Sequence, residues 1–72
     1  MTENEKNIRI RISDELTKQF PDLKPKIASV EENCFVCELE KHGNFTYYLV
    51  RYTLTPSGGL VIDWDNAELT VI

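Results

Sequence analysis

Seventy-two residues make one small domain, of a size that buries only about 60% of the surface its unfolded chain exposes. With 42% hydrophobic and 28% charged residues and only three Gly and three Pro, the composition excludes a disordered or membranous chain. No apolar run approaches the ~20 residues of a membrane helix, and the polar first seven residues exclude a secretory leader, so a cytoplasmic location is expected.

The net charge of −4 is unevenly spread. Residues 1–26 carry six basic and five acidic side chains (+1), and residues 27–72 carry two and seven (−5). Such a C-terminal half repels phosphate, so direct nucleic-acid binding is not expected. A protein partner with a basic or mixed-charge surface is the complementary expectation, and a membrane is not.

Residues 1–7 read as a flexible N-terminal tail, with residues 8–72 as a single α+β domain. Asn7-Ile8-Arg9-Ile10-Arg11-Ile12 alternates with period two, the pattern of a half-buried strand. Ser13 then offers a helix N-cap, with Asp14 and Glu15 in the first turn. Leu16 and Phe20 share one face, and Pro21 stops the helix after about two turns. Pro21 and Pro25 bracket a rigid connector. Residues 27–33 admit two readings: a short strand of 27–30 with a turn at 31–33, or the first half of one bent strand.

From Cys34 onward the pattern is an antiparallel β-meander. One turn centres on His42-Gly43 and the next on Pro56-Ser57-Gly58, where Gly58 suits the left-handed position of a three-residue loop. A third turn is expected at Asp65-Asn66. With these loops one face collects Phe35, Cys37, Leu39, Tyr48, Val50, Tyr52, Leu54, Leu60, Ile62, Trp64, Ala67, Leu69 and Val71. A one-residue slip in any loop would bring charge into that layer. The other face carries Val36, Glu38, Tyr47, Leu49, Arg51, Val61, Asp63 and Asp65, with Arg51 across from Asp63.

The expected fold is therefore α+β: a small antiparallel meander of four to five strands with one short N-terminal helix, in the order β-α-β-β-β-β. A two-turn helix is only ~10 Å long and cannot cover a sheet roughly 20–24 Å wide. The sheet then either curls into a partial barrel or pairs with a second copy, as a homodimer.

Chemistry-bearing patterns are sparse. Cys34 and Cys37 have CxxC spacing, but no second pair completes a zinc site. On a strand, residues three apart point to opposite faces. Asp63 and Asp65 open a calcium-like run that lacks the loop glycine and the twelfth ligand. His42 stands alone in a turn, and no nucleophile–base set or glycine-rich phosphate loop is present. No catalytic residue, metal or cofactor is expected, and the chain does not read as an enzyme.

The expected function is a small acidic interaction module: a regulator, inhibitor or accessory subunit. It would bind through Val36, Glu38, Tyr47, Leu49, Arg51, Asp63 and Asp65, or through an edge strand such as the C-terminal one. A narrower form has its acids imitate nucleic-acid phosphates. The alternative is a module that holds a small apolar ligand against Tyr48, Tyr52 and Trp64 in a curled sheet.

Overall fold

The computed structural model describes residues 3–71, with side chains from residue 6 onward. A single helix, α1 (Glu3–Gln19), precedes four strands: β1 (Lys26–Val30), β2 (Cys34–Lys41), β3 (Asn44–Leu54) and β4 (Leu60–Thr70). The strands form one antiparallel sheet in chain order, β1-β2-β3-β4, with the helix packed across one face. This is the expected α+β meander. The sheet is open rather than curled, and there is no fifth strand among the described residues.

The first correction concerns residues 8–12, which are helical and not a strand. Three isoleucines at 8, 10 and 12 satisfy a period of two, but Ile8, Ile12, Leu16 and Phe20 recur every four residues. Only that second pattern extends far enough to build a continuous buried stripe. Ile12 and Leu16 are fully buried, whereas Ile10 is 51% exposed on the opposite side. Ser13 is accordingly no cap: it lies mid-helix, where its carbonyl accepts the Thr17 hydroxyl at 3.0 Å. Positions 3–7, read as tail, are the helix's opening turns; residues 1 and 2 lie outside the described residues. The helix does end where Pro21 stops it, after the Phe20 amide donates to the Leu16 carbonyl at 2.9 Å.

The helix is seventeen residues, about 25 Å long at 1.5 Å per residue. A helix of this length removes the need for curling or a second copy that a ~10 Å helix would have imposed. Ile12, Leu16, Phe35, Cys37, Val50 and Tyr52 form the buried core, with Ile8, Phe20, Ile27, Ile62 and Trp64 packed around it.

The connector is pinned at its far end, where the Glu40 amide donates to the Leu23 carbonyl at 2.7 Å. Residues 27–30 belong to a separate short strand, the first of the two readings, with a bulge between Ile27 and Ser29. The turn after it is held from β3. The Tyr52 amide donates to the Asn33 carbonyl at 3.0 Å, and the Tyr52 hydroxyl donates to the Glu31 carbonyl.

Burial raises the Tyr52 phenol above its ordinary value of 10.0. A raised pKa means that the unfolded chain loses this proton first. The stability it contributes is therefore present below pH ~10 and is lost as pH rises through the folded value. Tyr52→Phe should cost about 1–2 kcal/mol at neutral pH by removing the bond to Glu31. It should also flatten the loss of stability above pH 10, read from urea unfolding at pH 7 and pH 10.5–11.

Two hairpins have the expected register. His42 and Gly43 take φ of 52° and 80°, the two left-handed positions of a two-residue loop, and Lys41 pairs with Asn44. At the next turn Gly58 takes φ 87°, and the Thr55 amide donates to the Gly59 carbonyl at 2.8 Å around Pro56-Ser57-Gly58. Leu54 faces Leu60, Tyr52 faces Ile62 and Arg51 faces Asp63.

The second correction is at Asp65-Asn66, which is a bulge and not a hairpin turn. The next pairs after Arg51–Asp63 are Leu49–Glu68, Tyr48–Leu69 and Tyr47–Thr70. The chain takes five steps on β4 against two on β3, then continues in the same direction. A reversal at this point would have stripped Tyr47, Tyr48 and Leu49 of their backbone partners on that side, and the bulge keeps them paired. The Asn66 side-chain amide closes it by donating to both Asp63 carboxylate oxygens, at 2.8 and 3.1 Å. Beyond the bulge Leu69 stands opposite Tyr48 but is 71% exposed, and Val71 is 93% exposed, so neither joins the core.

Candidate functional site

The helix covers one face of the sheet, and no other element of the described residues covers the second. Cross-strand pairing orders that outer face. Glu40 lies opposite Phe45, Glu38 opposite Tyr47, Val36 opposite Leu49, and Cys34 opposite Arg51. On the flanks Lys26 pairs with Glu38, Thr70 with Tyr47, Glu68 with Leu49 and Asp63 with Arg51. Phe45, Tyr47 and Leu49 thus run down β3 as a strip, with Val36 beside it and carboxylates to either side.

Within this face the polar groups hold one another. The Tyr47 hydroxyl donates to Glu38 Oε2 at 3.0 Å, and that carboxylate pushes the phenol's pKa up. Tyr47 is therefore a neutral donor, set by its partner, at any ordinary pH. The Arg51 guanidinium lies 3.9 Å from Glu68, both well exposed, a contact worth at most a few tenths of a kcal/mol. Arg51 sits across from Asp63 as the register requires, but Asp63 is taken by Asn66 instead.

Six of the seven residues expected here (Val36, Glu38, Tyr47, Leu49, Arg51 and Asp63) share the outer face. Asp65 does not join them in register: it lies in the bulge and borders a cleft on the helix side. Phe45, Glu40 and Glu68 are among the residues of the face that went unread. Phe45, 54% exposed, has the same parity as Tyr47 and Leu49 and could have been placed from the two-residue loop. Glu68 could not, because its position depends on the bulge.

Cys34 and Cys37 fall on opposite faces, one beside Arg51 and the other buried against Tyr48. Burial pushes the Cys37 thiol up, away from the thiolate that nucleophilic or metal chemistry needs. Among the described residues no three His, Cys, Asp or Glu side chains gather as a metal site. None of the described helices is long and apolar enough to cross a membrane.

No family model, curated protein or solved structure matches this chain.

Proposed function

We propose that this chain is a non-enzymatic, cytoplasmic protein-interaction module, a regulator, inhibitor or accessory subunit, that docks a basic partner on the outer face of its sheet. The uncovered strip of Phe45, Tyr47 and Leu49, bordered by Glu38, Glu40, Asp63 and Glu68, carries this reading. Aromatic and aliphatic residues inside a charged rim suit a compact contact, in which the apolar centre supplies affinity and the rim supplies orientation. The face is favoured over either edge. β1 is five residues with a bulge after Ile27, and β4 is interrupted by its own bulge at residues 64–67. Short and bulged edges are poor templates for strand addition.

The test compares capture by the native chain, by Tyr47→Ala with Leu49→Ala, and by Thr17→Ala on the exposed side of the helix. A partner held by the first and third chains and lost at least tenfold by the second supports the reading. Equal retention by all three sinks it. Asp63→Lys with Glu68→Lys should slow association, with an effect that shrinks as salt screens the rim. Competition between such a partner's nucleic acid and this chain tests the narrower form, in which the acids stand in for phosphates.

A further inference from the structure

The sheet is longer than the helix that covers it. β3 is eleven residues, about 36 Å at 3.3 Å per residue, against about 25 Å of helix. At the end where α1 stops, the inner face is left as a cleft of about 380 Å³. Its floor is Leu39, Tyr48 and Ala67, and its walls are Phe20, Leu23 and Trp64. Trp64 is fixed there by edge-on contacts to Phe20, at 5.7 Å between ring centroids, and to Phe35, at 6.2 Å. That volume lies within the range of small-molecule sites.

Two features set the charge such a ligand would carry. Among the described residues, Asp65 is the only charged one that lines the cleft, and Gln19 is the only other strongly polar one apart from the Tyr48 hydroxyl. Gln19 is the last residue of α1 and Phe20 follows it directly, at the end where the last carbonyls present partial negative charge. Aromatic rings add their negative faces. Among the described residues no Lys, Arg or His lines the cleft to oppose these. The bulge bears on the same point, because it places Trp64, Asp65 and Ala67 on the cleft while the rest of β4 keeps its pairing. Bulges frequently serve to re-aim side chains beside a site. A larger space of about 790 Å³ beside it, between residues 19–24 and 40–43, is lined by Asp22, Lys24, Glu40, Lys41 and His42. Its mixed charges select no ligand class.

We propose that the cleft between the end of α1 and the β4 bulge binds a small aromatic or aliphatic cation, an apolar body bearing one primary amine. The apolar body lies against Tyr48, Leu39 and Trp64, and the ammonium is directed toward Asp65 and the carbonyl end of the helix. This differs from an apolar ligand held in a curled sheet. The sheet is open, and Tyr52, unlike Tyr48 and Trp64, is core and does not line the cleft.

Trp64 is the only tryptophan in the chain, so its fluorescence reports the cleft directly. The experiment titrates the native protein with 4-phenylbutylamine, 4-phenylbutanol and 4-phenylbutyrate, which share one body and differ in the head group. Saturable change of Trp64 emission is expected with the amine, at least tenfold weaker binding with the alcohol, and none with the carboxylate in the same range. Asp65→Asn should reduce the preference of amine over alcohol several-fold while leaving the alcohol's affinity unchanged. Absence of saturable binding by the amine overturns the proposal. So does binding of the carboxylate as tight as the amine, or an amine preference that Asp65→Asn leaves undiminished. Because the cleft lies on the helix side, none of these outcomes bears on partner capture by the outer face.

Discussion

Replacing Ile12 by Ala should destabilise the fold by about 3 kcal/mol, while Ile10→Ala should change stability by less than ~0.5 kcal/mol. Ile12 is 0% exposed and Ile10 is 51% exposed. Truncating the first opens a cavity beneath the helix, and truncating the second removes a side chain from water in favour of a better helix former. A domain of this size has roughly 4–11 kcal/mol in all, at ~0.05–0.15 kcal/mol per residue. The loss at Ile12 is thus a large share of the whole. Urea midpoints of the two variants decide the matter, and they also separate helix from strand at residues 8–12. A strand would put Ile8, Ile10 and Ile12 on one face and make the two truncations comparable. Equal costs would refute the helical assignment.

Phe35→Ala should cost more, about 4 kcal/mol. Phe35 is completely buried near the start of β2, with the Tyr52 and Trp64 rings each 6.2 Å away. It is where the helix, the sheet and the bulged end of β4 meet, so removing it leaves a void bounded by rigid groups on several sides. Trp64 loses one of its two ring partners at the same time. The folded variant should therefore show red-shifted Trp64 emission besides its lower urea midpoint. A conservative Phe35→Leu should cost about 1–1.5 kcal/mol. If both variants lost less than ~1 kcal/mol, the helix would not be seated on Phe35.

The parts of the fold that could be read from the sequence are those where turn chemistry and side-chain parity agree. The turns at His42-Gly43 and Pro56-Ser57-Gly58 each fix the parity of the strands beside them, whether the first loop has two or four residues, and that parity places Val50 and Tyr52 inward and Leu49 and Arg51 outward. The outer face followed from the same parity, so most of the candidate contact was legible.

Two segments were misread for physical reasons. The isoleucines at 8, 10 and 12 satisfy two periods at once within five residues, and Ser13-Asp14-Glu15 resembles a helix start wherever it occurs. Only the longer repeat through Leu16 and Phe20, and the depth of the core that receives it, decides between them. Asp65-Asn66 has residues that suit reversal and bulge alike. What selects the bulge is the need of Tyr47, Tyr48 and Leu49 for a backbone partner, which no local window contains. The cleft at the end of α1 depends on both of these outcomes. Its lining could not be assembled before them.

The strand order of the sheet is the strand order of the chain, and this has a kinetic meaning. Each strand finds its neighbour across a loop of two to five residues, so the search for native pairing requires little loop-closure entropy. Hairpins of this kind form in microseconds. Only the docking of α1, which joins the first part of the chain to Val50, Tyr52 and Ile62, spans a large sequence separation. Folding should be fast for a sheet protein, with the helix arriving last on a meander that has already chosen its faces.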